Sequence, residues 1–145
     1  MDMNTTGPQA LIMAGALTSL AAVAHLACIV LGASAYRCMG AGERMARAVE
    51  AGKFRPTLVT LGIAAVLLSW AAYAFSAAGV IEQLPLAKFV LPAISAVFLA
   101  RACCSPWVKP WFPGNPPIFW LVSSGICLSI GSLYAWGTAA VWAQL

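Results

Sequence analysis

Three stretches of this chain carry no Asp, Glu, Lys or Arg: between Asp2 and Arg37, between Arg55 and Glu82, and between Lys109 and Leu145. A helix needs about 20 apolar residues to cross the hydrocarbon core of a bilayer, and each stretch exceeds that. Only 8% of the 145 residues are charged, against about 25% in soluble domains, too few to coat a water-facing globule. The remaining apolar span is bracketed by Lys88 and Arg101, placed where long basic side chains snorkel to the headgroups. The runs are continuously apolar, whereas barrel strands would alternate over about ten residues. The expected fold is therefore an all-α membrane protein, a four-transmembrane-helix bundle forming a single domain over 1–145. Its spans are expected at about 10–35, 56–79, 84–104 and 117–143.

Local signals sharpen those boundaries. Pro56 and Pro117 suit first-turn positions, Gly79 suits a helix end, and Pro92 should kink the third helix. The short Val80–Gln83 connection predicts an antiparallel hairpin of helices two and three. The segment 105–116 repeats proline too often to be helical throughout. Its tryptophans suit a headgroup-level belt that Trp120 extends, with Trp136 and Trp142 at the opposite end of helix four. No basic region precedes the first apolar run, so a cleaved signal peptide is not expected.

Charge asymmetry gives the topology. Five of the eight Lys/Arg residues fall between Arg37 and Arg55. With that loop inside, Arg101 and Lys109 join it and only Lys88 lies outside, as the positive-inside rule requires. The expected location is a bacterial inner membrane. Loops 37–55 and 105–116 would be cytoplasmic and both termini periplasmic, and anionic headgroups would be the basic loop's partner. Glu43 and Glu50 dilute the basic cluster, which argues against nucleic-acid binding.

Within that loop, Gly40–Gly52 patterns as a short amphipathic helix. Ala41, Met45, Ala48 and Val49 share one face, and the pairs Glu43–Arg47 and Arg47–Glu50 are at helical spacing. Arg37, Glu43, Arg44, Arg47 and Arg55 are the candidate site for an anionic headgroup or cofactor. A solvated charged face is the simpler use of the same residues.

His25 is the one ionisable side chain deep in a span, which makes it a functional candidate. It lies 12 residues before Arg37, about 18 Å from that end, and Cys127 lies about 15 Å from Pro117. A mid-bilayer polar site of His25, Cys28, Ser124, Cys127 and Tyr134 is thus possible, though a histidine bonded to a neighbouring helix would look the same. No second histidine or deep acid completes a metal set, and no Cys/His spacing fits zinc, so no metal is expected. The five cysteines do not form a disulfide framework. Small residues at four-residue spacing (Gly15 and Ser19; Ala24, Cys28 and Gly32; Gly131, Ala135 and Ala139) permit close helix approach, within the bundle or between copies. No GxSxG, P-loop or dinucleotide fingerprint is present.

The runs Gly40-Ala41-Gly42-Glu43-Arg44-Met45, Glu50-Ala51-Gly52, Trp70 to Gly79 and Leu84-Pro85 resemble a family of small uncharacterised four-helix bacterial inner-membrane proteins. That resemblance implies source and class but no activity. Glu43-Arg44-Met45-Ala46-Arg47-Ala48 is similar to the first half of the motif of the membrane-associated eicosanoid and glutathione metabolism family. Val49, Ala51 and Phe54 stand at its His, Asn and Glu positions, and a proline, Pro56, follows early. The sequence thus favours a non-enzymatic accessory or assembly subunit, or a homo-oligomer, with no cofactor. A glutathione- or thiol-dependent membrane enzyme and a small transporter using His25 are the alternatives.

Overall fold

A computed structural model describes residues 3–112 and 114–145 of the chain. Met1, Asp2 and Pro113, the third of the four prolines in the 105–116 segment, lie outside the described residues. All regular structure among the described residues is helical: α1 (Met3–Leu31), α2 (Ala33–Cys38), α3 (Glu43–Glu50), α4 (Arg55–Ala77), α5 (Ala87–Cys103), α6 (Ser105–Val108) and α7 (Pro117–Val141), with 3-10 turns at Lys109–Trp111 and Trp142–Gln144. Three segments are long and apolar enough to cross a membrane: Thr6–Leu31, Arg55–Ala77 and Pro117–Gln144. The count is four if α5 and the bent segment after it make one span.

Helix ends follow local chemistry, sometimes against the apolar pattern. Pro56 and Pro117 occupy the first turns of α4 and α7, where a missing N–H costs nothing. Past the end of α4, Gly79 N–H donates to the Ser76 carbonyl and Val80 N–H to that of Phe75, which closes the last turn in a Schellman arrangement. The first apolar run continues to Ala35, but α1 stops at Leu31. Gly32 takes φ 77° and ψ −157°, a region essentially closed to residues with a Cβ, and the chain turns there into α2. At the other end of the bundle α5 begins at Ala87, not Leu84. Pro85 disfavours helical geometry at the residue before it, and Leu86 is left-handed at φ 62°. Pro92 is accommodated within a continuous α5, and the 60° bend comes later, at Cys104.

Packing is organised around the α1–α7 pair. α1 packs extensively on α4 and on α7, and α5 on α7. α4 and α5 meet more sparingly, across a connection longer than Val80–Gln83 and through the edge-to-face pair Trp70–Phe98 at 5.5 Å. α1 and α7 come close because two glycines leave room. A Cβ on Gly7 would lie 2.7 Å from that of Ala140, and one on Gly137 would lie 2.6 Å from Leu11 Cγ. Of the small residues singled out by spacing, Gly131 packs on Leu99 of α5 and Gly15 on Phe75 of α4, while Ala135 and Ala139 are exposed.

Tyr134 joins the four long helices. Its hydroxyl donates to the Trp70 carbonyl of α4 at 3.0 Å, and its ring stacks on Phe98 of α5 at 6.0 Å. Thr18 of α1 lies 3.4 Å from the same hydroxyl. Thr18 gives its own proton to the Ala14 carbonyl at 2.7 Å, so the 3.4 Å contact is the weakest of the three. Tyr134→Phe keeps the stack and loses one hydrogen bond. Because the Trp70 carbonyl retains its helical donor, the expected loss is about 1 kcal/mol, whereas Tyr134→Ala should cost about 3–5 kcal/mol. An unfolding titration checks both, and equal losses for the two variants would refute this division.

Candidate functional site

The basic end of the bundle is built from α2, α3 and the starts of α4 and α7. An eight-residue helix is too short to persist alone, so α3 depends on what holds it. Ala46 is buried against Cys28 and Tyr36, with Met45 and Val49 packed beside them. Tyr36 donates to Thr60 Oγ1 at 2.9 Å, and Thr60 passes its own proton to the Pro56 carbonyl at 2.8 Å. This relay fixes α2 to the first turns of α4. Asn115 Nδ2 donates to the Gly40 carbonyl at 3.0 Å, which ties the α2–α3 turn to the loop before α7. Gly40 has a positive φ of 73° and lies against the Phe119 ring, where no side chain would fit.

The charges follow a pattern that sequence spacing captured in part. Arg37 grips Glu43 in bidentate fashion, Nε to Oε2 at 2.9 Å and Nη2 to Oε1 at 3.0 Å. The same guanidinium reaches Glu50 at 2.9 Å. Arg47 donates to Glu43 at 3.2 Å, the expected i,i+4 pair. The expected Arg47–Glu50 pair is replaced by Arg37–Glu50, because Arg37 projects from α2 across both ends of α3. Two arginines and two glutamates therefore cancel one another. Arg44, Lys53 and Arg55 are exposed and outside any ion pair among the described residues. Within the Glu43-Arg44-x-x-Arg47 run, then, only Arg44 keeps its charge free. Lys53 borders a groove of about 210 Å³ lined by Ile29, Tyr36, Val49, Phe54 and Thr57.

The five candidates of the interior polar site occupy separate surroundings. His25 Nδ1 lies 2.7 Å from the Ala21 carbonyl of its own helix. A carbonyl only accepts, so the proton sits on Nδ1. His25 is also shallower than counting to Arg37 implied, since α1 ends six residues after it, about 9 Å away. Cys28 makes a long contact with the Ala24 carbonyl at 3.4 Å and belongs to the α2–α3 cluster. Tyr134 serves the helix junction described above. Ser124 pairs with Ser105 at 2.8 Å, and Cys127 packs half-buried at the edge of the main core.

Sequence reasoning missed the surroundings of Ser124. Arg101, in the last turn of α5, donates through Nη2 to Ser123 Oγ at 3.2 Å, and its guanidinium carbon lies 5.5 Å from the centre of the Trp120 ring. Trp120 is only 7% exposed and packs edge-on against Phe119 at 5.6 Å. It does not extend the surface belt, because Arg101 and the Phe112 and Phe119 rings cover it. Trp107 and Trp111, at 72% and 83%, are the exposed tryptophans of that region. The signal available was Arg101 itself, a cation at the end of an apolar run, with serines at 123 and 124.

Glu43 gives the basic end a measurable signature. Hydrogen bonds from Arg37, then from Arg47, hold its carboxyl at about 2, below its ordinary 4.5. A depressed carboxylate stabilises the fold above its unfolded pKa and ceases to do so once protonated. The Arg37 clamp should thus be intact above pH 4.5 and released as pH falls toward 2. In Arg37→Gln the Glu43 midpoint should rise some of the way back, with Arg47 still in place. Carbon-13 NMR titration of the Glu43 carboxyl reads this, and an unmoved midpoint would show that Arg37 is not its principal partner.

No protein-family model, no curated protein and no solved structure matches the chain.

Proposed function

We propose that the chain is a four-span bacterial inner-membrane protein of the four-helix kind it resembles, with its basic end in the cytoplasm. It works as a non-catalytic accessory or assembly partner of a larger membrane complex, or of further copies of itself. The observation that carries this reading is the distribution of its polar and apolar groups. Interior hydroxyls such as those of Thr18, Ser95 and Tyr134 are spent on backbone carbonyls of the helices. Large apolar side chains lie outside instead: Leu20, Val30, Leu58, Val66, Leu121 and Ile126 are all exposed. An apolar exterior of this extent suits lipid or partner helices rather than water.

Several features support the topology. The Asn115–Gly40 hydrogen bond joins the loops that hold six of the eight basic residues, and Arg101 ends α5 on the same side. Lys88 lies at the far end with the α4–α5 connection. The seven-to-one asymmetry matches the positive-inside rule, and α3 would rest on anionic headgroups through Arg44, Lys53 and Arg55.

Cys38, Cys103 and Cys104 are exposed at the basic end, so a membrane-impermeant maleimide should label them in inverted vesicles and spare them in intact spheroplasts. Labelling in spheroplasts would reverse the proposed orientation. For the accessory role, purification in mild detergent should recover a stoichiometric partner or a defined homo-oligomer. A lone, monodisperse monomer would overturn it.

A further inference from the structure

Arg37 and Arg101 stand at the same end of the bundle in opposite electrostatic situations. Arg37 is exposed and shared by two carboxylates. Arg101 is half-buried, and no carboxylate pairs with it among the described residues. Its Nη2 has Ser123, but its Nη1 is buried with no acceptor, and the same holds for the indole Nε1 of adjacent Trp120. The aromatic face supplies some of what a guanidinium needs. It leaves two N–H donors and a positive charge without an acceptor, at a cost that grows with burial.

No acid among the described residues answers this. Glu43 and Glu50 are held by Arg37 and Arg47, and Glu82 lies in the α4–α5 connection, beside Ser76 at the other end. The Ser105 and Ser124 hydroxyls, 2.8 Å apart, line the same α5–α7 seam. Ser105 gives its proton to the Ala102 carbonyl and takes that of Ser124, so the unmet donors of this niche on one side of the bundle are those of Arg101 and Trp120. Its level is marked by Trp107, Lys109 and Trp111, three exposed residues just beyond the end of α5. That is the composition of a membrane–water interface, and the oxyanion abundant there is lipid phosphate.

We propose that Arg101, with Trp120 and Ser123, forms a site for the phosphate of an anionic phospholipid on the basic side of the membrane. The inference rests on the membrane reading above. Arg101 supplies the charge. Its Nη1 and the Trp120 Nε1 are closed off without a ligand, so binding requires the side chains that cover Trp120 to move aside and offer the indole N–H as a second donor. Arg44, Lys53 and Arg55 are solvated and attract the same lipids only diffusely, through an interaction that salt screens. The half-buried Arg101 contact is screened far less.

The test uses the full chain in mild detergent, with thermal stability measured against phosphatidylglycerol, phosphatidylcholine or inorganic phosphate, in about 1 M salt, where the Debye length is about 3 Å. Phosphatidylglycerol should raise the melting temperature more than phosphatidylcholine. Arg101→Gln should abolish that difference, with lipid affinity falling about tenfold or more, the range expected for a charge-assisted hydrogen bond. Trp120→Phe keeps the ring and removes one donor, so it should weaken the preference in a folded protein even if Arg101→Gln does not fold. Lys88→Gln, at the far end of the bundle, should leave it unchanged. Equal stabilisation by the two lipids, or a preference that survives both the Arg101 and Trp120 variants, overturns the proposal. Full stabilisation by inorganic phosphate alone assigns the niche to a soluble oxyanion and overturns the lipid source. Carbonate extraction separates this from failure of the membrane reading: a protein released from membranes refutes that reading, whereas one retained without lipid preference refutes only the site.

Discussion

The hydroxyl of Tyr134 sets the heights at which the long helices stand. It is fully buried, so its proton must find an acceptor, and it finds the Trp70 carbonyl on α4. The ring beneath it is stacked on Phe98 of α5, and Thr18 of α1 lies beside it. Sliding any single helix by a residue would break at least one of these contacts. In lipid, helices gain nothing from leaving water at one another's surfaces, and association rests on close packing and hydrogen bonds. Gly7 and Gly137 provide the close packing between α1 and α7, and Ser95 adds a hydrogen bond from α5 to the Gly131 carbonyl of α7. The bundle is thus specified by a few small and polar residues, with the bulk of its large apolar side chains left on the outside.

A second level of organisation sits on this frame at the basic end. Gly32 ends α1 and turns the chain, Tyr36 seats α2 on α4, and Arg37 then spans both ends of α3. Each exposed ion pair contributes little by itself. Their value lies in geometry, because one guanidinium fixes the two acids that begin and end α3. The same arrangement removes two arginines from the site that the sequence suggested and leaves the diffuse charge of Arg44, Lys53 and Arg55.

What the sequence made legible was whatever depends on near neighbours. The helical character of the apolar runs, the first-turn prolines 56 and 117, the Gly79 terminus and the Glu43–Arg47 pair all follow from spacing along the chain. Contacts set by tertiary geometry were not legible. Gly32 reads as one more small residue in an apolar run, and only its positive φ reveals the break. Trp120 resembles its neighbours 107 and 111 in composition, yet it is covered where they are bare. His25 reads as central when the first helix is taken to run to Arg37, across a break at Gly32 that the composition does not mark. Tyr36 carried no signal at all, since its partner Thr60 lies 24 residues away.

The length of α5 connects these levels. At 17 residues it rises about 26 Å, short of the roughly 30 Å hydrocarbon thickness. Pro85 and the left-handed Leu86 take residues from its start, and the bend at Cys104 ends it. In the proposed membrane a short helix is accommodated by thinning the bilayer locally or by snorkelling at its ends. Arg101 cannot extend freely toward water, because Ser123 and the Trp120 ring hold its head against α7. In that proposed setting the headgroups would have to come to the arginine. The bent segment, with Trp107 and Trp111 exposed along it, is suited to lie in that thinned interface. The shortness of α5 and an Arg101 with no carboxylate partner among the described residues are two consequences of one geometry, and a lipid phosphate drawn down to the end of α5 would answer both.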